Sequence, residues 1–132
     1  PSLMPKAVEE ILRWSSPILH FRRTATVDTQ MHGKTIKAGD KVVLWFVSAN
    51  RDEAVFTDPD RFDIGRDPNP HLAFGQGGPH VCLGSYLARL EIRVMYEELL
   101  PKLHTLALAG QPSRMRSNFT HALKRMPVRI TA

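Results

Sequence analysis

The glycine-rich run at residues 74–84 constrains this chain more than any other part of its sequence. It has the sequence FGQGGPHVCLG and contains Cys82, the only cysteine among 132 residues. Apolar residues follow at helical spacing, so we expect the cysteine to lie where a loop enters a helix. Backbone N–H groups and the helix dipole at such a junction favour a thiolate, and glycines let the backbone approach a flat, bulky ligand. The run therefore indicates a metal–thiolate site.

Two other interpretations of this run follow from the residues. A glycine-rich loop before a helix can bind phosphate, but the phosphate-binding loop follows a strand and ends in Lys and Ser or Thr, and this run has neither feature. A single cysteine cannot form an internal disulfide, which fits a reducing compartment. Cys82 is therefore a metal ligand, a nucleophile or an inert buried thiol.

Two segments of the sequence predict the principal helices. Pro5 suits an opening helical turn, and an apolar face follows it as far as a Ser-Ser-Pro sequence, which predicts a helix over residues 4–14. Leucines and a valine at helical spacing predict a second helix over residues 84–100, which Pro101 helps to end. The three aromatic residues that we expect in the core are Trp14, Trp45 and Phe46.

The remaining periodic segments predict short antiparallel strands. β-Branched residues separated by turn formers indicate strands at residues 24–27, 35–36 and 41–44. One helical turn is expected at about residues 52–56. The last strands form a terminal β-hairpin, whose predicted segments are residues 106–109 and 128–130.

The charge pattern limits the classes of partner. The formal net charge is +5, but Lys and Arg are interspersed with Asp and Glu and form no tract, so we expect no nucleic acid partner. We expect no membrane span and no signal peptide, because no window approaches eighteen uncharged apolar residues. The expected location is the cytoplasm.

Residues 74–84 resemble the haem-binding signature of the cytochrome P450 family. In that signature a Phe and glycines precede His or Arg, any residue, Cys, any residue and Gly. The matching residues are Phe74, Gly75, Gly77 or Gly78, His80, Cys82 and Gly84. Phe74 lies one residue further from Cys82 than in the common form, which is similar to the longer loop of some bacterial members.

Two further matches occur in the order that the family has. Glu10 and Arg13 resemble its Glu-x-x-Arg pair, whose spacing places both side chains on one helical face. Residues 59–62 resemble its later Pro-x-Arg-Phe element, whose arginine completes a buried Glu-Arg-Arg network in the family. The resemblance therefore implies one buried structural network of Glu10, Arg13 and Arg61. Most pairs at this spacing are instead solvated surface salt bridges.

The resemblance implies an α+β fold class. Residues 1–132 would be the C-terminal portion of a mainly α-helical cytochrome P450 domain from a soluble bacterial member, with its haem-binding loop at residues 72–84. The helix with which the family activates oxygen lies upstream of the Glu-x-x-Arg helix and is absent from this sequence. We therefore expect a fragment that supplies the proximal half of the haem site, is inactive alone and self-associates through surfaces that lack their packing partners.

The resemblance also implies roles for individual residues. Cys82 would be the axial thiolate ligand of the iron of haem b and the only metal ligand, and Arg23 and His80 would bind the haem propionates. Arg22 is a rival to Arg23 on the opposite face of the strand. The residues expected to line the substrate pocket are Ile18, Leu19, Phe119 and Thr120.

The parent protein would be a monooxygenase that inserts one oxygen atom of O₂ into a small organic substrate. The longer haem loop is similar to that of bacterial members that oxidise lipids and steroids. Electrons would come from NAD(P)H through a ferredoxin-type donor that docks near Arg89 and Arg93, although Arg89 could equally anchor its helix. The alternatives are a non-catalytic haem binder and a structural remnant.

Overall fold

The computed structural model describes residues 2–131 of the chain. Within this range one helix precedes four strands, and three consecutive helices separate these from four more strands; the strands form four two-stranded antiparallel sheets. The α-helices are α1 (Met4–Ser15), α2 (Phe46–Ala49) and α3 (Ser85–Leu99), and a 3₁₀ helix follows at Leu100–Thr105. The strands are β1 (His20–Thr24), β2 (Thr29–Met31), β3 (Lys34–Ile36), β4 (Lys41–Trp45), β5 (Leu106–Leu108), β6 (Ser113–Arg114), β7 (Leu123–Arg125) and β8 (Val128–Ile130). The α+β class predicted from the sequence is confirmed.

Helix α1 forms the centre of the small core. Its start and end agree with the predicted helix to within one residue, and the residue that caps its C-terminus, Ser16, has a left-handed φ of 39°. The Ser16 hydroxyl donates to the Arg13 carbonyl oxygen at 2.8 Å, which helps to hold this uncommon conformation. Met4, Val8 and Leu12 are buried along one face, and burial of each such side chain contributes about 1.5–3 kcal/mol.

The first sheet differs from the prediction in its boundaries. β1 pairs with β4 from His20 opposite Trp45 to Thr24 opposite Lys41, so the predicted strand at residues 24–27 was placed too late. The pairing ends at Thr24 because the chain turns at residues 37–40, where the Gly39 amide donates to Ala25 O. Strand β3 agrees with the predicted strand at residues 35–36 to within one residue, and its partner β2 was not predicted.

One local prediction near α2 was correct and another was wrong. Residues 52–56 form the expected single helical turn, in which the Phe56 amide donates to Asp52 O at 2.8 Å, while the short helix at Phe46–Ala49 was not predicted. Trp45 is exposed, although it was expected in the core. Trp45 ends a two-stranded sheet in which the consecutive residues Val43, Leu44 and Trp45 are all exposed, and its ring packs edge-on against His20, at 4.6 Å between centroids.

The C-terminal half follows the predicted order. Helix α3 agrees with the predicted helix over residues 84–100, and β5 pairs with β8 as the expected terminal hairpin. A second pair, β6 with β7, lies within the connection between them and was not predicted. Phe74, Ile92 and Tyr96 pack against the buried face of α1, whereas Leu87, Leu90 and Val94 of α3 remain exposed within the described residues.

No helix among residues 2–131 is both long enough and apolar enough to cross a membrane.

Candidate functional site

The loop before α3 folds back on itself and holds Cys82. The Cys82 amide donates to the Phe74 carbonyl oxygen at 2.9 Å, and the Ser85 amide donates to Cys82 O at 3.1 Å. Gly75 and Gly77 have φ angles of 74° and 67°, a region that favours glycine and lets the chain make this tight return. Cys82 is thus tied on one side to the loop and on the other to the first residue of α3.

Cys82 is a free, exposed thiol. The alternative that Cys82 is an inert buried thiol, which the sequence left open, is therefore wrong for the described structure. Among residues 2–131 no three His, Cys, Asp or Glu side chains are grouped to hold a metal ion. Gly84 has an ordinary φ of −79°, and a Cβ added there would lie 3.8 Å from Cys82 Sγ, so its backbone does not require glycine.

A cavity of about 510 Å³ opens over Cys82. Its size is within the range of ligand sites, and its lining is mainly apolar. Arg23 and His80 contribute cationic or polar groups to the lining, while Arg22, the rival of Arg23, is not among the lining residues. The residues that line it are Pro17, Ile18, Phe21, Arg23, Leu44, Phe46, Ala73, Phe74, Gly75, Gln76, Gly77, Pro79, His80 and Cys82.

These features fit a haem. A soft sulfur donor faces a space with apolar walls, which suits a flat apolar ring with a metal at its centre. Arg23 and His80 can donate hydrogen bonds to carboxylates on the edge of that ring. Arg23 now uses one N–H on the Arg22 carbonyl oxygen at 3.0 Å, so most of its donors remain for an anionic group.

The two segments predicted to line a substrate pocket lie side by side. Ile18 forms an isolated antiparallel bridge with Thr120, and the Leu19 amide donates to the Phe119 carbonyl oxygen at 2.9 Å. Of the four predicted residues, Ile18 alone lines the cavity described above. The pairing places residues 118–121 beside the edge of the site although they are far away in sequence.

A buried ion pair joins α1 to the segments beneath the site. Glu10 and Arg13 are both 0 % exposed, and two guanidinium N–H groups donate to the two carboxylate oxygens at 2.8 Å. Arg13 Nη1 also donates to the carbonyl oxygens of Asn50 and Pro59, each at 2.8 Å. Burial acts to raise the pKa of Glu10, but hydrogen bonds from Arg13 and the Asp63 amide, together with the Arg13 and Arg66 charges, lower it overall.

The second arginine of this network is Arg66, and the prediction of Arg61 was wrong. The Arg61 side chain is exposed, and only its carbonyl oxygen takes part, as an acceptor from Arg13 Nη2 at 3.1 Å. Arg66 Nε lies 3.2 Å from Glu10 Oε2, and its side chain is 9 % exposed. The turn at residues 58–61 directs the Arg61 side chain outward, and the chain then returns to bring Arg66 to the carboxylate.

Asn50 connects this network to the loop before α3. It was not identified from the sequence. It is 0 % exposed. Its Nδ2 donates to Ser16 Oγ at 2.9 Å, and its Oδ1 accepts from the Leu72 amide at 2.7 Å. No periodic pattern marks Asn50, because its partners are 22 and 34 residues away in the chain.

A second polar cluster, also missed, lies on another face of α1. Glu9 accepts from Arg89 of α3 and from His71 of the loop, and the Arg89 Cζ lies 4.8 Å from the centre of the Phe74 ring. Of the two roles considered for Arg89, the structure therefore shows the helix anchor. Arg93 is exposed and lies 3.7 Å from Glu97 of the same helix.

Comparison with known proteins identifies relatives from one family. The family described as "Cytochrome P450" matches residues 2–130. A methyl-branched lipid omega-hydroxylase of Mycobacterium tuberculosis is 52 % identical over 96 % of this chain and 29 % of its own length. Cytochrome P450-terp of a Pseudomonas species is 50 % identical over 99 % of this chain and 30 % of its own length.

A solved structure also matches most of this chain. A Mycobacterium marinum cytochrome P450 in complex with pseudoionone superposes with a TM-score of 0.91 at 45 % identity, over 96 % of this chain and 30 % of that one. The chain spans about 30 % of the length of the curated relatives it matches.

Proposed function

The chain belongs to the cytochrome P450 family, and from that premise we propose that it supplies the cysteine-bearing side of the haem site in a monooxygenase. The whole protein would insert one oxygen atom of O₂ into an organic substrate. We further propose that residues 1–132 are the C-terminal portion of one such domain. Support comes from the match over residues 2–130, which covers about 30 % of the length of the relatives.

The observation that carries the proposal is the exposed Cys82 thiol in an apolar cavity of about 510 Å³. As a thiolate it would be the axial ligand of the haem iron, and the bound haem would supply the activation of O₂. The chain's own residues would position that ligand. The hydrogen bond from the Cys82 amide to Phe74 O fixes the backbone at the sulfur, and the α3 N-terminus begins three residues later, at Ser85.

We propose that haem b is bound through its apolar faces and its carboxylates. Ile18, Leu44 and Phe74 would contact the ring, since they line the cavity with Cys82. Arg23 and His80 would bind the propionates, because both reach the cavity from different elements and both can carry N–H donors. The roles of Gly75 and Gly84 would be to give the ring a close approach to the loop backbone.

The proposed substrate is a small apolar molecule of a lipid or steroid kind. This class is supported by the names of the relatives, which include a methyl-branched lipid omega-hydroxylase and a steroid C26-monooxygenase. The pairing of residues 18–19 with residues 119–120 would form part of the pocket wall. Contacts that select one compound would come from both of these segments.

Electrons would come from NAD(P)H through a ferredoxin-type protein that docks near the N-terminal half of α3. Arg93 is the better candidate for that contact, because its side chain is 52 % exposed, whereas Arg89 is bound by Glu9. A cytoplasmic location is part of the same proposal, since the lone thiol suits a reducing compartment. The exposed apolar residues of α3 support the expectation that the chain alone self-associates.

The test of the proposal is replacement of Cys82 in the whole protein that carries this chain. Cys82→His is expected to abolish the red-shifted absorption of the ferrous carbon monoxide complex, because that shift requires a thiolate ligand. The matched control is Leu83→Ala, next in the chain and 99 % exposed, which should keep the shift. An unchanged spectrum in Cys82→His would refute the ligand assignment, and a red-shifted protein without turnover would indicate the non-catalytic haem binder.

A further inference from the structure

The cluster of Glu9, His71 and Arg89, which we call the Glu9 cluster, connects three separate segments around the Cys82 loop. We propose that the Glu9 cluster holds the Arg89 cation over Phe74, and that it thereby positions the Cys82 backbone and raises the reduction potential of the site. In this proposal Arg89 is a positioning residue rather than a docking residue. The inference rests on the proposed function, because the potential is that of the haem ligated by Cys82.

The geometry of the Glu9 cluster leaves little freedom for the arginine. Arg89 Nε donates to Glu9 Oε1 at 2.6 Å and Arg89 Nη2 donates to Glu9 Oε2 at 2.8 Å, a two-point contact between α3 and α1. Such parallel contacts fix the plane of the guanidinium as well as its position. Arg89 Nη1 lies 3.4 Å from the carbonyl oxygen of Ser85, one turn earlier on α3.

His71 completes the cluster from the loop side. Its Nε2 is 2.9 Å from Glu9 Oε2, and its Nδ1 accepts from the Ala73 amide at 3.2 Å. An acceptor role for Nδ1 means that the proton lies on Nε2 and is donated to Glu9. The imidazole is therefore neutral, and burial, which is the largest effect on it, lowers its pKa although the hydrogen bond and the charge of Glu9 act to raise it.

The path from the cluster to the cysteine is short. The Arg89 Cζ lies 4.8 Å from the centre of the Phe74 ring, and the Phe74 carbonyl oxygen accepts the hydrogen bond of the Cys82 amide at 2.9 Å. Arg89 thus fixes the ring of the residue whose carbonyl fixes Cys82. Arg89 also balances the charge of Glu9, so its loss would leave an uncompensated carboxylate near Phe74 that disfavours the more negative, reduced state of the site.

A positioning cation and a docking cation have different consequences. A cation that only contacts an acidic donor changes the rate of association and does so less at high salt. A cation that acts on the site itself changes the reduction potential in the absence of any donor. Arg93, one turn further along α3 and exposed, is the internal comparison because it carries the same charge and its ion pair is with Glu97 rather than with Glu9.

The experiment measures the reduction potential of the haem-loaded whole protein by equilibrium titration without a donor protein. In Arg89→Gln we expect the equilibrium to move toward the oxidised form by about three- to tenfold, the size expected for loss of one partly screened charge. Arg89→Lys, which keeps the charge, should recover part of the shift. Arg93→Gln should leave the potential unchanged while slowing reduction by a ferredoxin-type donor at low salt.

A second measurement does not depend on haem. Hydrogen exchange of the peptide that contains residues 74–84 reports the Phe74–Cys82 hydrogen bond, and we expect exchange at Cys82 to be about tenfold faster in Glu9→Gln and Arg89→Gln. A wild-type protein without the thiolate spectrum would contradict the proposed function itself. A normal thiolate spectrum, with wild-type potential and wild-type exchange in both variants, would overturn this inference alone.

Discussion

Glu9 and Glu10 are neighbours in sequence, yet they belong to two unlike polar groups. Glu10 is 0 % exposed and binds Arg13 and Arg66 within the network beneath the site. Glu9 is partly exposed and binds Arg89 and His71 in the Glu9 cluster. Consecutive helical residues point about 100° apart, so one helix can anchor two separate regions. The difference in burial predicts that the Glu10 network mainly determines stability and that the Glu9 cluster mainly adjusts the loop.

The largest effect is expected from loss of the buried guanidinium. Arg13→Ala should lower the free energy of unfolding of the whole protein by about 3–5 kcal/mol, because it leaves the Glu10 carboxylate buried without its main partner. Chemical denaturation and haem content are the measurements. Arg22→Ala, on an exposed strand position, is the control and should change little. A wild-type melting temperature in Arg13→Ala would show that the network adds nothing to stability.

Comparison of Arg66 with Arg61 tests which of the two arginines stabilises this network. Arg66→Ala should cost about 1–3 kcal/mol, because it removes a charge near Glu10 and hydrogen bonds to the carbonyl oxygens of Thr57 and Asp58. Arg61→Ala should stay within about 0.5 kcal/mol, since only its carbonyl oxygen is used. Parallel urea titrations of the two variants show which substitution lowers the free energy of unfolding more. An equal or larger decrease in Arg61→Ala would mean that the second arginine of the network is not Arg66.

A smaller effect on stability, expected in mild acid, should distinguish the Glu9 cluster from the Glu10 network. The folded-state pKa of His71 is lowered from 6.5, so below pH 6.5 the unfolded chain binds a proton that the folded chain does not. Stability should therefore be full above this pH and fall as pH decreases, with a slope of at most about 1.4 kcal/mol per pH unit. The groups that face His71 are Glu9 and Arg13 of α1 and Arg89 of α3.

The Glu10 network should respond only at lower pH. The folded-state pKa values of Glu9 and Glu10 are lowered from 4.5, so their contributions are present above pH 4.5 and are lost below it. Denaturation between pH 6.5 and 4.5 thus separates the effect of His71 from those of Glu9 and Glu10. His71→Gln should flatten the curve in this window, and the exposed His104→Gln should not. A slope that survives in His71→Gln would assign the effect to another group.

Much of the local structure could be predicted because it depends on residues close together in the chain. Spacing was enough to predict α1 and α3 to within a residue and to place Cys82 at a loop–helix junction. It was also enough to place Glu10 and Arg13 on one face of α1, since residues three apart are neighbours on a helix. The pairing of β5 with β8 followed from two short segments, residues 106–109 and 128–130, with turn formers between them.

The tertiary structure alone decided which distant residues meet. Arg61 and Arg66 are five residues apart in a loop without periodicity, and only the path of that loop brings Arg66 to Glu10. Glu9 reaches Arg89 across 80 positions of sequence because α1 and α3 pack together. Local spacing determines which side chains share a face, whereas the packing of one element on another determines what that face meets. For that reason the sequence determined where the thiol lies, and the fold decided which charges surround it.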